Sequence, residues 1–282
     1  MPCSAITLSL ATICAVVSVA LLAIAFGTDN WQYIKVDRID IEKSLSRSDI
    51  SPSEFDNSGF YRTRTKGLFR VCYPETKPKG EELYLSPVET YCQNIDYHIF
   101  NEESDTSQFS DDEMVRLHMA RSMIALFIVS FFFVFVAFWT GVVGCWRRSP
   151  GNIAFTAILM LLACLFSAGG MGLWHGVEYY EEEKLKSEPW KASWDQLLSD
   201  NTAVMYDWSY FIAWIGVGWA LISALLFSGA SVCLRSERER EDAKNMAYLM
   251  PVYPQKQQYP SYGYGYPGPY HFGSQYGPYN NY

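Results

Sequence analysis

Charged side chains are missing from four long stretches of this 282-residue sequence. The stretches run over about residues 4–27, 122–145, 153–176 and 208–234. Each exceeds the roughly 18 apolar residues that indicate a membrane-spanning helix. The first has no Asp, Glu, Lys or Arg, the second none between Arg121 and Arg147, and the fourth none between Asp207 and Arg235. The third holds only His175, near its end. Ionisable groups inside a span are costly and mark ion pathways and proton relays. Their absence disfavours a pump or carrier.

Other absences narrow the function further. His98, His118, His175 and His271 are scattered, with no C-x-x-C or H-E-x-x-H spacing, so no metal site is expected. No G-x-S-x-G, glycine-rich phosphate loop or paired nucleophile and base is present, so neither an enzyme nor a cofactor is expected. No N-x-S/T sequon occurs, so glycosylation is not expected. Lys and Arg are also absent ahead of the first stretch. Ala23-Ile24-Ala25 fits a small-x-small cleavage pattern, yet the apolar run outlasts the roughly 7–15 residues of a signal core. Both features favour a retained helix.

What is present divides by position. The short link between the second and third stretches is basic, with Arg147 and Arg148, and Arg235, Arg238, Arg240 and Lys244 follow the fourth. The excess of Lys and Arg in cytoplasmic segments puts these pieces, and both termini, inside. The loop 28–121 carries 12 Lys/Arg against 18 Asp/Glu, and the loop 177–207 carries 3 against 8. An acidic outer face suits cations or basic partner surfaces and argues against nucleic acid.

The first loop is too long to be structureless in a compact protein. Trp31–Val36, Gly59–Thr63, Leu68–Tyr73 and Glu89–Ile95 alternate as short strands. Ser44–Ser58 and Pro74–Ser86, rich in Ser, Pro, Lys and Glu, read as excursions at a sheet edge. Asp111-Asp112-Glu113 suits a first helical turn leading into the second span. Glu181-Glu182-Glu183 in the second loop reads first as a solvated face and second as a cation-attracting patch. Residues 1–234 thus form a tetraspan body and 235–249 a charged helical extension. From 250 to 282 a Tyr/Pro/Gly-rich tail lacks aliphatic core formers and is expected to be disordered. Within it Pro251, Tyr253 and Pro254 are candidate contacts for SH3 or actin-linked cytoplasmic proteins.

Seven cysteines separate by place. Cys72 and Cys92 are the two that fall in the loops, where an oxidising setting favours a disulfide worth roughly 3 kcal/mol. Cys145 and Cys233 close the second and fourth stretches and are candidate palmitoylation sites. Cys3, Cys14 and Cys164 read as buried small residues. Gly141, Gly144, Gly169, Gly170, Gly172, Gly216 and Gly218 would let helices approach closely in lipid. The run Phe131-Phe132-Phe133-Val134-Phe135 reads as packing surface.

Several of these residues, in order, resemble the claudin superfamily, which includes claudins, epithelial membrane proteins and calcium-channel γ subunits. Trp31 follows the first helix as the family's Trp does, and Gly67-Leu68-Phe69, Cys72 and Cys92 resemble its G-L-W-x-x-C…C signature. Leu117–Arg121 is similar to its Leu-x-x-Ala-Arg segment, and Tyr206-Asp207-Trp208-Ser209-Tyr210 to its Tyr-Gly-Trp-Ser-Phe. Phe69 stands where the signature has Trp, and the first loop is enlarged, as in γ-subunit or claudin-domain-containing members. The resemblance implies a left-handed four-helix transmembrane bundle capped by a small antiparallel extracellular β-sheet drawn from both outer loops, with Cys72–Cys92 stapling neighbouring strands of it. Trp31, Gly67, Leu68, Phe69, Arg121 and Trp208 would be structural residues of that fold. It further implies a plasma-membrane protein with lipid and membrane-protein partners, in cis or trans and including itself. Cell–cell contact or surface organisation is the expected role, and service as auxiliary subunit of an ion channel or receptor is the alternative.

Overall fold

The computed structural model describes residues 3–44, 51–80, 82–97, 110–186 and 190–249. Among the described residues four helices are long and apolar enough to cross a membrane: α1 (Cys3–Gly27), α4 (Asp111–Arg147), α5 (Pro150–Tyr179) and α7 (Trp208–Leu249). Shorter pieces lie between them. The first loop supplies β1 (Gln32–Val36), α2 (Arg38–Ser44), α3 (Pro52–Asn57), β2 (Arg64–Lys66), β3 (Arg70–Tyr73), β4 (Tyr84–Leu85) and β5 (Tyr91–Asn94). The second supplies α6 (Gln196–Asp200) and β6 (Thr202–Tyr206). The candidate tail contacts Pro251, Tyr253 and Pro254 lie outside the described residues.

Local chemistry sets the helix ends. Ser110 caps α4: its hydroxyl accepts from the Glu113 amide at 3.3 Å, while the Glu113 carboxylate accepts from the Ser110 amide at 2.8 Å. This reciprocal box satisfies two amides that an open helix end would leave unbonded. At the other end Arg148 adopts the left-handed region (φ 45°, ψ 43°), and its amide reaches the carbonyls of Cys145 and Gly144. Pro150 then opens α5, where a missing amide hydrogen costs nothing. The α4–α5 turn is therefore short.

Lipid offers no hydrophobic drive between helices, so close approach and hydrogen bonds hold the bundle. A Cβ on Gly170 would come within 2.9 Å of the Phe127 ring, and one on Gly216 within 2.9 Å of Leu22. Gly172 and Gly218 face open space, so they are not the contact residues that small-residue spacing suggests. Ser18 and Ser223 link α1 and α7, bonding the carbonyls of Gly216 (2.8 Å) and Ala11 (3.0 Å). Ser130 joins α4 to the Ala163 carbonyl of α5 at 2.8 Å.

The six strands form one antiparallel sheet in the order β4-β5-β3-β2-β1-β6. β6 comes from the second loop and pairs with β1 along five residues, from Gln32↔Tyr206 to Val36↔Thr202. Cys72 and Cys92 stand directly opposite on β3 and β5 and form a disulfide. At the sheet end of the bundle, Trp31, Leu68, Phe127, Met171 and Trp174 share one buried cluster. A second cluster, with Ile153, Met160 and Phe227, fills the opposite end. A third, with Ile41, Phe55, Tyr61 and Leu198, lies under α2 and α3.

The sequence reading needs three corrections here. The strand expected at Gly59–Thr63 is a 3-10 turn over Gly59–Tyr61, and the strand follows at Arg64–Lys66. Arg64 bonds the Gly59 and Phe60 carbonyls of that turn and Arg62 the Asp56 carbonyl of α3 ahead of it, which draws the chain into a bend before it extends. The excursion expected at Ser44–Ser58 contains helix α3. Pro74–Ser86 contributes an edge strand, β4.

The chain divides into a compact unit, Met1–Arg240, and a second unit, Glu241–Tyr282, of which the helical residues up to Leu249 are described.

Candidate functional site

The sheet is fixed to the bundle around Trp31. Its ring is fully buried, 4.9 Å from Trp174 and 6.1 Å from Phe127, and its indole N–H donates to the Ala25 carbonyl at 2.8 Å. Gly67 sits where the β2–β3 turn crosses Asp29. A Cβ there would lie 2.5 Å from the Asp29 Cα, so only glycine fits. The Asp29 carboxylate in turn receives Arg70, at 2.6 Å and 3.0 Å. Leu68 is fully buried beside Trp31, and its carbonyl accepts from the Tyr97 phenol. Burial pushes the Tyr97 phenol up to about 12.

The remaining motif residues behave differently. Phe69 is 36% exposed and packs edge-on to Phe26 at 5.1 Å, so it belongs to the rim of the core. Arg121 donates to the Tyr97 carbonyl at 2.8 Å and ties α4 to the chain leaving β5. Trp208 is 41% exposed and opens α7. Its neighbours make the connections: Asn30 donates to the Asp207 carboxylate at 2.9 Å, and the Asp207 amide donates to the Trp31 carbonyl at 3.0 Å. Ser209 is fully buried against the Thr28 hydroxyl at 2.8 Å. At the opposite end of the bundle Cys145 is exposed and Cys233 half-buried, while Cys14 and Cys164 are buried.

A cavity of about 400 Å³ lies against one face of the sheet. The registers Ile34↔Arg64, Lys66↔Val71, Val71↔Gln93 and Ile34↔Val204 place those side chains on the cavity side. The second loop supplies Trp190 and Trp194 to its wall, and α4 supplies Arg116.

A buried ion triad stands in this wall. Glu181 receives Arg116 through Nε (2.9 Å) and Nη2 (2.6 Å) on one carboxylate oxygen, and Lys66 on the other. The Arg116 guanidinium lies 4.3 Å from the centre of the Trp190 ring. Burial by itself would raise the Glu181 carboxyl, but Lys66 and Arg116 outweigh it and hold the group below its ordinary value. Burial lowers the Lys66 ammonium, and Arg116 adds to the effect, against the pull of Glu181. The two directions fit together, because one carboxylate is shared by two cations.

The acidic run is therefore not the solvated face its composition suggests. A π-helical turn over Tyr180–Lys184 carries Glu181 inward, while Glu182 pairs with Lys191 at 2.6 Å and Glu183 stays exposed. Close by, Glu178 accepts from Gln32 (2.7 Å) and Tyr206 (2.6 Å), so α5, β1 and β6 share one carboxylate. Sequence reasoning missed Lys66, Arg116, Glu178 and Glu181 as a group. The one signal was the alternating pair Arg64 and Lys66 on a short strand, and nothing local distinguishes Glu181 from its neighbours. Among the described residues no three His, Cys, Asp or Glu side chains converge as a metal would require.

The buried Trp31, the Gly67-Leu68 turn and the Cys72–Cys92 staple belong to a tetraspan body with an antiparallel sheet drawn from both loops. Comparison with curated proteins returns no match. A family model described as PMP-22/EMP/MP20/Claudin tight junction matches residues 16–229, most of that body. The chain therefore belongs to the PMP-22/EMP/MP20/Claudin family of membrane proteins.

Proposed function

We propose that this chain is a non-enzymatic structural protein of the plasma membrane that acts at cell–cell contacts or in cell-surface organisation. Its termini are cytoplasmic and its sheet faces outward, in line with the Lys/Arg bias of the short segments. One observation carries the reading. Both loops are woven into a single sheet, anchored to the bundle by Trp31, by the Asn30–Asp207 bond and by the Glu181 triad. A surface held this rigidly is suited to recognising another protein, because little ordering remains to be done on contact. Expression alone in cells without junctions tests it. Enrichment at contacts is expected, whereas a diffuse surface signal with co-purification of a channel and altered currents would overturn it.

The second reading, an auxiliary subunit of an ion channel or receptor, is favoured by one feature. The enlarged first loop builds an extra module from α2 and α3, with Ile39 exposed on it. On either reading Cys145 and Cys233 are palmitoylation sites, because each sits near a span end opposite the sheet. Acyl exchange on the C145S/C233S double variant should lose the signal. The tail, through Pro251, Tyr253 and Pro254, serves SH3 or actin-linked partners. Deleting residues 250–282 should then change the cytoplasmic partners and leave contact enrichment intact.

A further inference from the structure

The wall of the cavity beneath the sheet holds more hydrogen-bond donors than it uses. Its carboxylates are engaged: Glu178 accepts from Gln32 and Tyr206, Glu182 pairs with Lys191, and Glu181 takes both Arg116 and Lys66. Arg116 is 8% exposed and lines the space. Its Nε and Nη2 turn to one Glu181 oxygen, while Nη1, with two further hydrogens, makes no hydrogen bond among the described residues. Lys66 gives Glu181 one of its three ammonium hydrogens. Both side chains are nearly withdrawn from water, where a donor left without an acceptor is costly. Charge is a separate matter. Lys66, Arg116 and Lys191 are matched in number by Glu178, Glu181 and Glu182. Arg64 is engaged by the Gly59 and Phe60 carbonyls and by a further contact. The wall therefore calls for an acceptor and not for an anion, since an ionic guest would find these charges already matched.

The rest of the wall suits an apolar body. Ile34, Val71 and Val204 line it from the sheet, Ile95 from just after β5, and Trp190 and Trp194 from the second loop. At about 400 Å³ the space is at the small end of small-molecule sites, which join apolar walls to a few placed polar groups. Its lining comes from the strands, the second loop, the first turns of α4 and the last turns of α5 with the π turn, and not from mid-span residues. We propose that this cavity is a binding site for an uncharged organic molecule that carries an oxygen acceptor, a carbonyl or an ether, on a compact apolar body. The oxygen meets Lys66 Nζ and Arg116 Nη1, and the body rests against Trp190 and the sheet. This site is independent of the adhesive or subunit role proposed above.

N,N-Dimethylbenzamide is the probe, an uncharged carbonyl acceptor with no N–H of its own on an aromatic ring. It is titrated into the full-length protein in nanodiscs of neutral lipid and followed by saturation-transfer NMR, with the signal of empty nanodiscs subtracted. Saturable binding is expected. It should be weaker for N,N-dimethylthiobenzamide, which has the same shape but a poorer sulfur acceptor, and weaker for benzoate, which adds a charge. Lys66→Met removes the ammonium donors yet leaves the Glu181–Arg116 pair, so the sheet should remain folded. Its affinity for the probe should fall roughly tenfold, the scale of a lost hydrogen bond to a charged group. Gln93→Trp fills the cavity from an exposed strand position whose side chain makes no hydrogen bond among the described residues. It should abolish binding and leave the fold intact, and it decides the matter by itself if Lys66→Met does not fold. The melting curve of each variant checks the fold. Absence of saturable binding, equal affinity for the thioamide, tighter binding of benzoate, or unchanged affinity in either folded variant would each overturn the proposal.

Discussion

Single residues here matter through what stands against them. Gly67→Ala drives a methyl group into the Asp29 backbone, which cannot yield as a side-chain tip would. We expect about 2 kcal/mol of destabilisation, within the range for an overpacked site, and loss of the Asp29–Arg70 pair. Thermal melting of the purified protein reads the first, and hydrogen exchange at the β2–β3 turn the second. The ion triad gives a sharper contrast. Glu181→Gln strands two nearly buried cations and should cost about 3–5 kcal/mol, as breaking a buried pair does. Lys66→Gln keeps a balanced pair and should cost much less; equal losses in the two melts would contradict the sharing of one carboxylate. Trp31, Gly67 and Leu68 were legible as motif residues because a whole family's pattern marks them. Glu181 was not, since three consecutive glutamates look alike until a π turn selects one.

Elements are held by pairings that cross from one loop to the other. The staple joins β3 to β5, and β4 is attached to the sheet through β5. Cys72→Ala with Cys92→Ala should therefore cost roughly 3 kcal/mol through the freed loop. The loss should appear first as faster amide exchange in β4 and β5, while β1 and β6 stay protected by their five-residue register. Uniform loss of protection across all six strands would count against this order. Strands β1, β3 and β5 could be read from alternation, but β2 was misplaced because the arginine-bonded turn at Gly59–Tyr61 precedes it. β6 shows no comparable local signal. Its strand state depends on lying beside β1, a partner some 170 positions away in sequence.

At the scale of the whole molecule, the sheet end depends on pH through groups it buries. Glu181 has its folded value below the ordinary 4.5, so its contribution is fully present above that pH and is lost as pH falls through the lower folded value. Tyr97 has its folded value raised from 10.0 to about 12, so its contribution is complete below 10 and is lost as pH rises through about 12. Melting temperature measured against pH should fall on the acid side below 4.5 and on the alkaline side above 10. Glu181→Gln should remove the acid limb in whatever fraction folds, and Tyr97→Phe the alkaline one. A limb that persists unchanged in its variant would assign that transition to other groups.

The four spans, their bounding charges and the disulfide pair were all legible in the sequence. Each is a statement about solvent: apolar runs avoid water, and charges avoid lipid. It also marked the family through Trp31, the Gly67-Leu68 turn and the two loop cysteines. The fold alone shows the register by which β6 pairs with β1, that Glu181 turns inward while Glu183 does not, and that Asp207 and Ser209 rather than Trp208 fasten α7. Those outcomes depend on which groups meet across long sequence distances, where the energy of a charge or hydrogen bond is set by the partner and the burial it finds there.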